Sequence, residues 1–561
     1  MDTGRPWLRH YGAVPSSLDY PKSTLAGALA QVASERPESA ALAFFGWECT
    51  YRELMQAIER CAAALAGLGL RRGDRILVSM PTTPQAVIAF YAANRLGAAS
   101  AMIHPLSTPA EIAMYVAASR ARIVLTLDAF YANVAGTPGI ETIVLARIPD
   151  YLSLVERIGF WATKGRHIKP VPANVARVSM WRDLMARPAP PAPPSDAGPD
   201  DLAAILFSGG TTSLPKAISL SNRNFIAEGK QAATWVGLSR GSSLLAIMPL
   251  FHGFGLGVCV NAVLMGGGTS ILVPTFTAES VAKLVRAKRP NFLVGVPTLF
   301  DALTRDERFA RSDLSCLKAA FSGADTLPRP VKERFEALVA ARGGKVRLLE
   351  GYGLTEAVSG IMAMPLDEYR EGSIGVPLPD ILAAICEPGS TRHLPPGTEG
   401  EICISGDPVM MGYIDDAAAS AEALRRHDDG RTWLHTGDLG RMDEDGFFYF
   451  TGRLKRMIKS SGFNVYPAQV ESVLYRHAAV KDACVVGVPD SHQVERVKAF
   501  VVPKPGVRAD AALGEALIAH CRGELIKWSC PREVEFREAL PTTRLGKIDY
   551  RALMEAERAR R

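Results

Sequence analysis

Along the chain, short runs of β-branched and aliphatic residues alternate with longer stretches whose apolar positions recur at helical spacing. RILVSM (75–80) precedes QAVIAFYAANRLGA (85–98), RIVLTL (122–127) and TIVLA (142–146) follow, and SILV (270–273) precedes AESVAKLVRAKRP (278–290) and NFLVGV (291–296). Alternating strand and helix patterns of this kind predict parallel sheets covered by helices, an α/β class. After Gly397 the texture changes to short strands and turns, EGEICISG (399–406) and DEDGFFYFTGR (443–453), predicting a small β-barrel over about 365–450. From Lys455 an α+β pattern takes over, with AQVESVLYRH (468–477) a helix and ACVVGVP (483–489) and VKAFVVP (497–503) strands. The expected division is a large domain over 1–454 and a small mobile domain over 455–561.

Two stretches interrupt the pattern. Residues 187–201 hold six prolines in 15 positions, which marks a stiff exposed connector rather than a core element. Residues 241–278 carry no Asp, Glu, Lys or Arg. Pro249, His252 and six glycines between Gly253 and Gly268 break their apolar run, so a helix followed by a strand inside a protein core is favoured over a membrane span.

At 561 residues the chain is too long for one hydrophobic core, and 48% apolar with 22% charged residues excludes a disordered or collagenous protein. The net charge of +6 is too small to argue for nucleic acid, and no nucleic-acid partner is expected. Its placement is uneven: residues 455–561 hold 19 Lys/Arg against 13 Asp/Glu, so the first 454 residues are neutral. Within those, residues 151–187 carry seven basic and two acidic residues. A basic terminal domain suits either polyanionic ligands or a solvated surface. Nine cysteines are scattered without a CxxC pair or a His cluster at metal-ligand spacing. Cys49, Cys259, Cys403 and Cys484 lie in apolar runs and read as buried thiols of a reducing compartment. Residues 1–12 have no hydrophobic signal core, so a cytoplasmic chain is expected.

The candidate chemistry starts after the strand-like LAAILF (202–207), with Ser208, Gly209, Gly210, Thr211, Thr212, Ser213 and, past Leu-Pro, Lys216. Small residues let backbone N–H groups close around a phosphate, the hydroxyls add donors, and Lys216 adds charge. The spacing is not that of a P-loop. Downstream come His252 in PLFHGFGL, Gly323, Ala324 and Asp325 after Ser322, and EGYGLTE with Gly351, Tyr352, Gly353, Thr355 and Glu356. Asp438 closes HTGD, Arg453 and Lys455 lie in TGRLK, and Lys547 closes PTTRLGK.

In this order, the motifs resemble those of the adenylate-forming superfamily of acyl-CoA synthetases, peptide-synthetase adenylation domains and luciferases, over about 25–553. The resemblance implies that the Ser208–Lys216 loop holds ATP phosphates and that Tyr352 stacks on adenine. Asp438 would accept the ribose hydroxyls, and Arg453 would contact ribose or phosphate. Thr355 would bond the α-phosphate, and Glu356 would ligate Mg²⁺, a hard cation suited to carboxylate oxygen. Gly323, Ala324, Asp325, Gly351 and Gly353 would complete the nucleotide site, and Lys455 would be the hinge. Lys547 would reach the carboxylate and α-phosphate during adenylation. His252 matches the element leading into the acyl pocket, where it would gate or line the site. Lys459 and Gly462, with Ser460–Pro467 around the latter, resemble the face that receives CoA. Several positions depart from the family pattern: Gly209, Ser213, Ala217, Gln469 and Val494.

The implied activity is ATP- and Mg²⁺-dependent conversion of a carboxylic acid to acyl-AMP and then to its CoA thioester. The N-terminal Arg5–Tyr11, Val14-Pro15 and Asp19–Pro21 segments and DYLSLVERIGFW (150–161) resemble bacterial medium- and long-chain fatty acyl-CoA ligases. Residues 151–169 combine apolar side chains with Arg157, Lys164, Arg166 and Lys169, suited either to peripheral contact with an anionic membrane or to packing on their own domain. The alternatives are an acyl-AMP ligase that loads the phosphopantetheine of an acyl carrier protein, and a catalytically weak adenylate-binding interaction protein.

Overall fold

The computed structural model describes residues 4–171, 177–207, 216–460, 463–490, 494–542 and 548–560. Two large sheets carry the α/β part. In the first, strands Leu348–Gly353, Ala319–Ser322, Phe292–Gly295, Ser243–Ala246, Thr269–Leu272 and Ala40–Phe44 run parallel in that spatial order. In the second, Leu202–Phe207, Ala99–Met102, Arg75–Ser79, Ile123–Leu127, Thr142–Ala146 and Val178–Met180 do the same. The central strands are buried along their length, as in Ile123–Leu127, because helices cover both faces. The predicted strands over 75–79, 123–127, 142–146 and 292–295 and the helices Pro84–Arg95 and Ala278–Lys288 are present.

The uncharged stretch 241–278 opens with strand Ser243–Ala246 and continues as the expected helix followed by a strand in the core. Phe254–Ala262 winds as a π-helix, continues to Met265, and leads into strand Thr269–Leu272. Such wide turns concentrate at functional sites.

The expected barrel takes the form of a curled antiparallel sheet of Leu382–Cys386, Gly400–Ser405, Thr432–Met442, Leu424–Arg426 and Phe448–Arg453. Beyond it, a further sheet is built around Val480–Asp490 and Val494–Pro503, with helices Pro467–Arg476 and Ala511–Glu524 against it. The two apolar clusters of this C-terminal part, Ile458 to Cys530 and Cys484 to Leu553, contain no residue from before Ile458. Leu454–Arg456 forms a single helical turn between the two regions.

All nine cysteines are free thiols, eight of them buried. Among the described residues no helix is long and apolar enough to cross a membrane. The segment Leu154–Thr163 is a helix capped by Ser153, whose hydroxyl accepts from the Glu156 N–H. Glu156 in turn accepts from Gly46 N at 2.9 Å, which pins the helix to the large domain. Its other face is open: Leu154, Val155, Ile158 and Trp161 are 63–79% exposed.

Candidate nucleotide and acyl site

Parallel strands end in loops, and the loops after Leu348–Gly353 and Ala319–Ser322 meet at one edge of the first sheet. There the EGYGLTE segment turns sharply. Leu354 N donates to Ser359 O at 3.0 Å, and Val358 is held at φ +63°. A β-branched residue in that region is strained, on the order of 1–3 kcal/mol, so surrounding contacts must impose it. A Cβ on Gly353 would lie 1.9 Å from Ser359 O, and one on Gly253 would lie 1.8 Å from Val358 O. Both positions therefore require glycine: Gly353 lets the EGYGLTE turn close on itself, and Gly253 lets the PLFHGFGL loop press against that turn.

Thr355 and Glu356 open the short helical turn Thr355–Ala357, which follows strand Leu348–Gly353. The Tyr352 hydroxyl donates to Asp438 Oδ2 at 2.7 Å. Asp438 belongs to strand Thr432–Met442, and Arg453, its cross-strand neighbour, places Nε 3.1 Å from Oδ1. Burial, then the charge of Asp438, pushes the Tyr352 phenol well above its ordinary range. Asp438 raises the Arg453 guanidinium further, so it stays charged. The result is a buried carboxylate framed by a phenol and a guanidinium, able to receive hydroxyl groups of a ligand on its acceptor oxygens.

Glu356 sits beside this corner. Tyr413 donates its hydroxyl to Glu356 Oε1 at 3.1 Å, and Met410 N donates to the Glu356 carbonyl at 2.8 Å. Burial raises its carboxyl above the usual range, with Tyr413 offsetting part of the rise. A carboxylate disfavoured by burial gains from a nearby cation. Lys216 extends the line, with its ammonium 4.3 Å from the centre of the Tyr413 ring. Tyr413 thus connects Lys216 to Glu356, and no motif singled it out in the sequence.

The other expected residues are distributed around this centre. Gly323 N donates to Gly295 O at 3.0 Å, and a Cβ on Gly323 would lie 3.2 Å from Gly351 O, so the SGAD and EGYG loops are adjacent. Ala324 stands at φ +67°, and exposed Asp325 caps the Thr326 N–H at 2.8 Å. His252 accepts the Phe254 N–H on Nδ1 at 3.2 Å, which leaves Nε2 to carry the proton of the neutral ring.

Residues 208–215, Gly462 and Lys547 lie outside the described residues, as does the side chain of Lys455. The strands that flank residues 208–215 in the sequence pair antiparallel, with Phe207 opposite Ala217. Lys459 is exposed, and its N–H donates to Glu495 at 2.8 Å. Glu471 holds Arg456 at 2.6 Å and accepts from Val485 N at 2.8 Å, joining the inter-domain turn to the C-terminal sheet.

Sequence reasoning missed Glu228. It lies fully buried on helix Asn222–Trp235, which Ser221 caps by accepting from Asn224 N. Neither carboxyl oxygen has a hydrogen-bond partner of normal geometry. A Cβ on Gly257 of the π-helix would come within 3.0 Å of both oxygens. Burial pushes the carboxyl up to about 8, with the Gly360 N–H partly opposing.

Two parallel sheets, a curled sheet and a C-terminal α+β unit around such a corner define the AMP-binding enzyme family, to which the chain belongs. Residues 29–414 match the AMP-binding enzyme family and residues 469–547 the AMP-binding enzyme C-terminal domain. The chain is similar to a long-chain-fatty-acid–CoA ligase of Bacillus subtilis (strain 168), 34% identical with 99% of each chain covered. It is 33% identical to a feruloyl-CoA synthase of an Amycolatopsis species, covering 91% of this chain and 94% of that one. Among solved structures, ATP-bound MatB from Rhodopseudomonas palustris superposes with a TM-score of 0.81 at 27% identity, covering 95% of this chain and 98% of that one.

Proposed function

We propose that the protein is an ATP-dependent acyl-CoA ligase that passes through an enzyme-bound acyl-adenylate, acting on a medium- or long-chain fatty acid. The observation that carries the reading is the Tyr352–Asp438–Arg453 corner with Glu356 beside it. It supplies an aromatic face and one carboxylate from the 352–356 segment and, from strand Thr432–Met442, a second carboxylate for two hydroxyls. The sequence likeness to a fatty-acid–CoA ligase over 99% of the chain favours an aliphatic acid over an aromatic one.

In this reading adenine stacks on Tyr352 while the ribose hydroxyls displace its phenol from Asp438. Arg453, already charged and paired to Asp438, stays beside the ribose. Thr355 donates to the α-phosphate, and Gly323, Ala324, Asp325, Gly351 and Gly353 form the walls. The 208–215 loop and Lys216 hold the β- and γ-phosphates. Glu356 is the residue that would hold Mg²⁺, since its buried carboxyl offers hard oxygen and needs a counter-charge. Bound there, the ion neutralises charge on the phosphate oxygens.

Lys547 bridges the substrate carboxylate and the α-phosphate, stabilising charge as the carboxylate oxygen attacks phosphorus and pyrophosphate leaves. The C-terminal domain then turns about Lys455, and the thiol of CoA, received past Lys459 and Gly462, attacks the acyl carbon. A C–S bond forms, the C–O bond to AMP breaks, and the thiol proton passes to solvent. His252 lines the entrance to the acyl side. The domain boundary at Lys455 is supported by the separate apolar clusters that begin at Ile458.

The exposed face of Leu154, Val155, Ile158 and Trp161 stands next to Arg157, Lys164, Arg166 and Lys169. An apolar face with adjacent cations matches an anionic membrane surface, where long-chain acids partition. We place substrate collection there.

ATP–pyrophosphate exchange across a panel of aliphatic and aromatic acids tests the reading. Exchange greatest with a C8–C18 acid, and thioester formed only when CoA is added, are expected. Exchange confined to aromatic acids overturns the substrate, and product formed only on a carrier protein overturns the acceptor.

A further inference from the structure

The curled sheet contains a second cluster of ligating side chains, apart from the nucleotide corner. Cys386 ends strand Leu382–Cys386, and a tight hairpin brings His393 back opposite it, with Leu394 N donating to Ile385 O at 2.7 Å. His427 comes from the turn after Leu424–Arg426, where its N–H donates to Arg431 O at 3.0 Å. Cys386 Sγ and one nitrogen each of His393 and His427 all lie within 4.8 Å of one another. Cys386 and His427 are buried, and His393 is exposed, so the cluster opens to solvent on one side only.

The nitrogens are already near ligand spacing. His393 Nε2 and His427 Nδ1 are 3.0 Å apart. Two imidazole nitrogens bound to one tetrahedral zinc ion stand about 3.3 Å apart, from bond lengths near 2.0–2.1 Å. Behind them runs a supporting chain. His427 Nε2 faces His435 Nε2 at 3.0 Å, and His435 Nδ1 lies 2.8 Å from Glu401 Oε2. With Glu401 ionised, His435 donates from Nδ1 and accepts on Nε2, so His427 donates from Nε2 and turns its Nδ1 lone pair toward Cys386 and His393. A ligating histidine whose far nitrogen is held through a carboxylate-anchored chain is the arrangement that orients imidazole for a metal. Trp433 stacks on His427 at 5.1 Å and fixes the ring plane.

We propose that Cys386, His393 and His427 form a zinc site, with Glu401 and His435 as positioning residues and water in the fourth place. One thiolate and two imidazoles favour zinc over magnesium or calcium, which prefer oxygen. Binding forms one S–Zn and two N–Zn bonds and releases the Cys386 thiol proton to solvent. The ion ties the 386–393 hairpin and the 427–431 turn to strand Thr432–Met442. Glu401 Oε1 also accepts from Gly437 N at 2.9 Å, one residue before Asp438, so the site braces the strand carrying the ribose-side carboxylate.

The full-length chain, stripped with a chelator, is titrated with Zn²⁺ against a chromophoric competitor and, separately, with Co²⁺. One Zn²⁺ per chain, a Co²⁺ spectrum with a thiolate charge-transfer band, and a higher Tm with Zn²⁺ are expected. Cys386→Ser should abolish the band, and His393→Gln should weaken Zn²⁺ at least tenfold; because His393 is exposed, circular dichroism should match the parent. Glu401→Gln should weaken it by about 10–100-fold. Zn²⁺ binding that is absent, or unchanged by His393→Gln and Cys386→Ser, overturns the proposal and leaves a hydrogen-bonded histidine chain; binding lost only in Cys403→Ser, whose Sγ lies 3.4 Å from His435 Nδ1, overturns it in favour of Glu401, Cys403 and His435.

Discussion

The Tyr352 hydroxyl and the Asp438 carboxylate are joined by a 2.7 Å hydrogen bond across two sheets, with Arg453 on the other oxygen of the same carboxylate. The carboxylate assigned to ribose is therefore held ready by protein donors before ligand arrives. Asp438→Asn removes the charge and leaves Arg453 without its partner. The KM for ATP in pyrophosphate exchange should rise at least tenfold, from a lost charged hydrogen bond of roughly 1.5–3 kcal/mol. Tyr352→Phe keeps the aromatic face and should change that KM by less than about threefold; an effect as large as that of Asp438→Asn would place the phenol, not the carboxylate, on the ligand.

Glu356 has a different expected signature. Glu356→Gln retains an oxygen for the Tyr413 hydroxyl but loses the negative charge. Adenylation should fall by about 10²-fold or more, as for loss of a group acting on transition-state charge, and half-saturation by Mg²⁺ should rise. Adenylation with ordinary Mg²⁺ dependence would remove Glu356 from the proposed metal role.

Lys547→Ala separates the two half-reactions. Acyl-AMP formation should drop by about 10²–10³-fold, while conversion of added acyl-AMP to the thioester changes little. Equal loss of both would show that Lys547 serves the fold or both steps.

Glu228 gives a stability prediction whose sign follows from its raised carboxyl, about 8 when folded. Between about pH 4.5 and 8 the folded chain keeps this proton while the unfolded chain has lost it, so stability falls with rising pH at about 1.4 kcal/mol per unit. Below that window and above it the contribution is flat. Glu228→Gln should therefore gain on the parent by roughly 3–5 kcal/mol between pH 4.5 and 8, read by urea denaturation at both ends. A parallel pH dependence of the two proteins would show that Glu228 is ionised in the fold.

The helix Leu154–Thr163 predicts a surface effect. Replacing Lys164, Arg166 and Lys169 by Ala should weaken binding to anionic vesicles by about 100-fold at low salt, from about 1 kcal/mol per charge, with exchange activity on a soluble short acid unchanged. Trp161→Ser should weaken binding to neutral vesicles too. Vesicle binding untouched by either change would leave this helix a packing element of its own domain.

Much of the fold was legible because the buried parallel strands are continuous apolar runs and the covering helices keep their period. Ile123–Leu127 and Ala278–Lys288 can be read directly. The uncharged 241–278 stretch was also legible, since its glycines and Pro249 broke any span long enough for a bilayer. Tyr352, Glu356, Asp438 and Arg453 could be selected by motif order and stand together in space. Tyr413 and Glu228 could not, because a tyrosine after glycine and a glutamate in a helix have no local signature. The Cys386–His393–His427 cluster escaped for another reason. Its members are gathered by a hairpin and a separate turn about 40 residues apart, so no short-range spacing rule sees them.

The contact of Gly253 with the Val358 carbonyl has a consequence for how such an enzyme can change. The PLFHGFGL loop and the EGYGLTE turn are one mechanical piece at this contact, and no side chain can be inserted at Gly253. The coupling extends along the π-helix, because a Cβ on Gly257 would meet both Glu228 oxygens at 3.0 Å and the Val358 side chain at 3.1 Å. Variants selected for altered acids should therefore keep glycine at both Gly253 and Gly257.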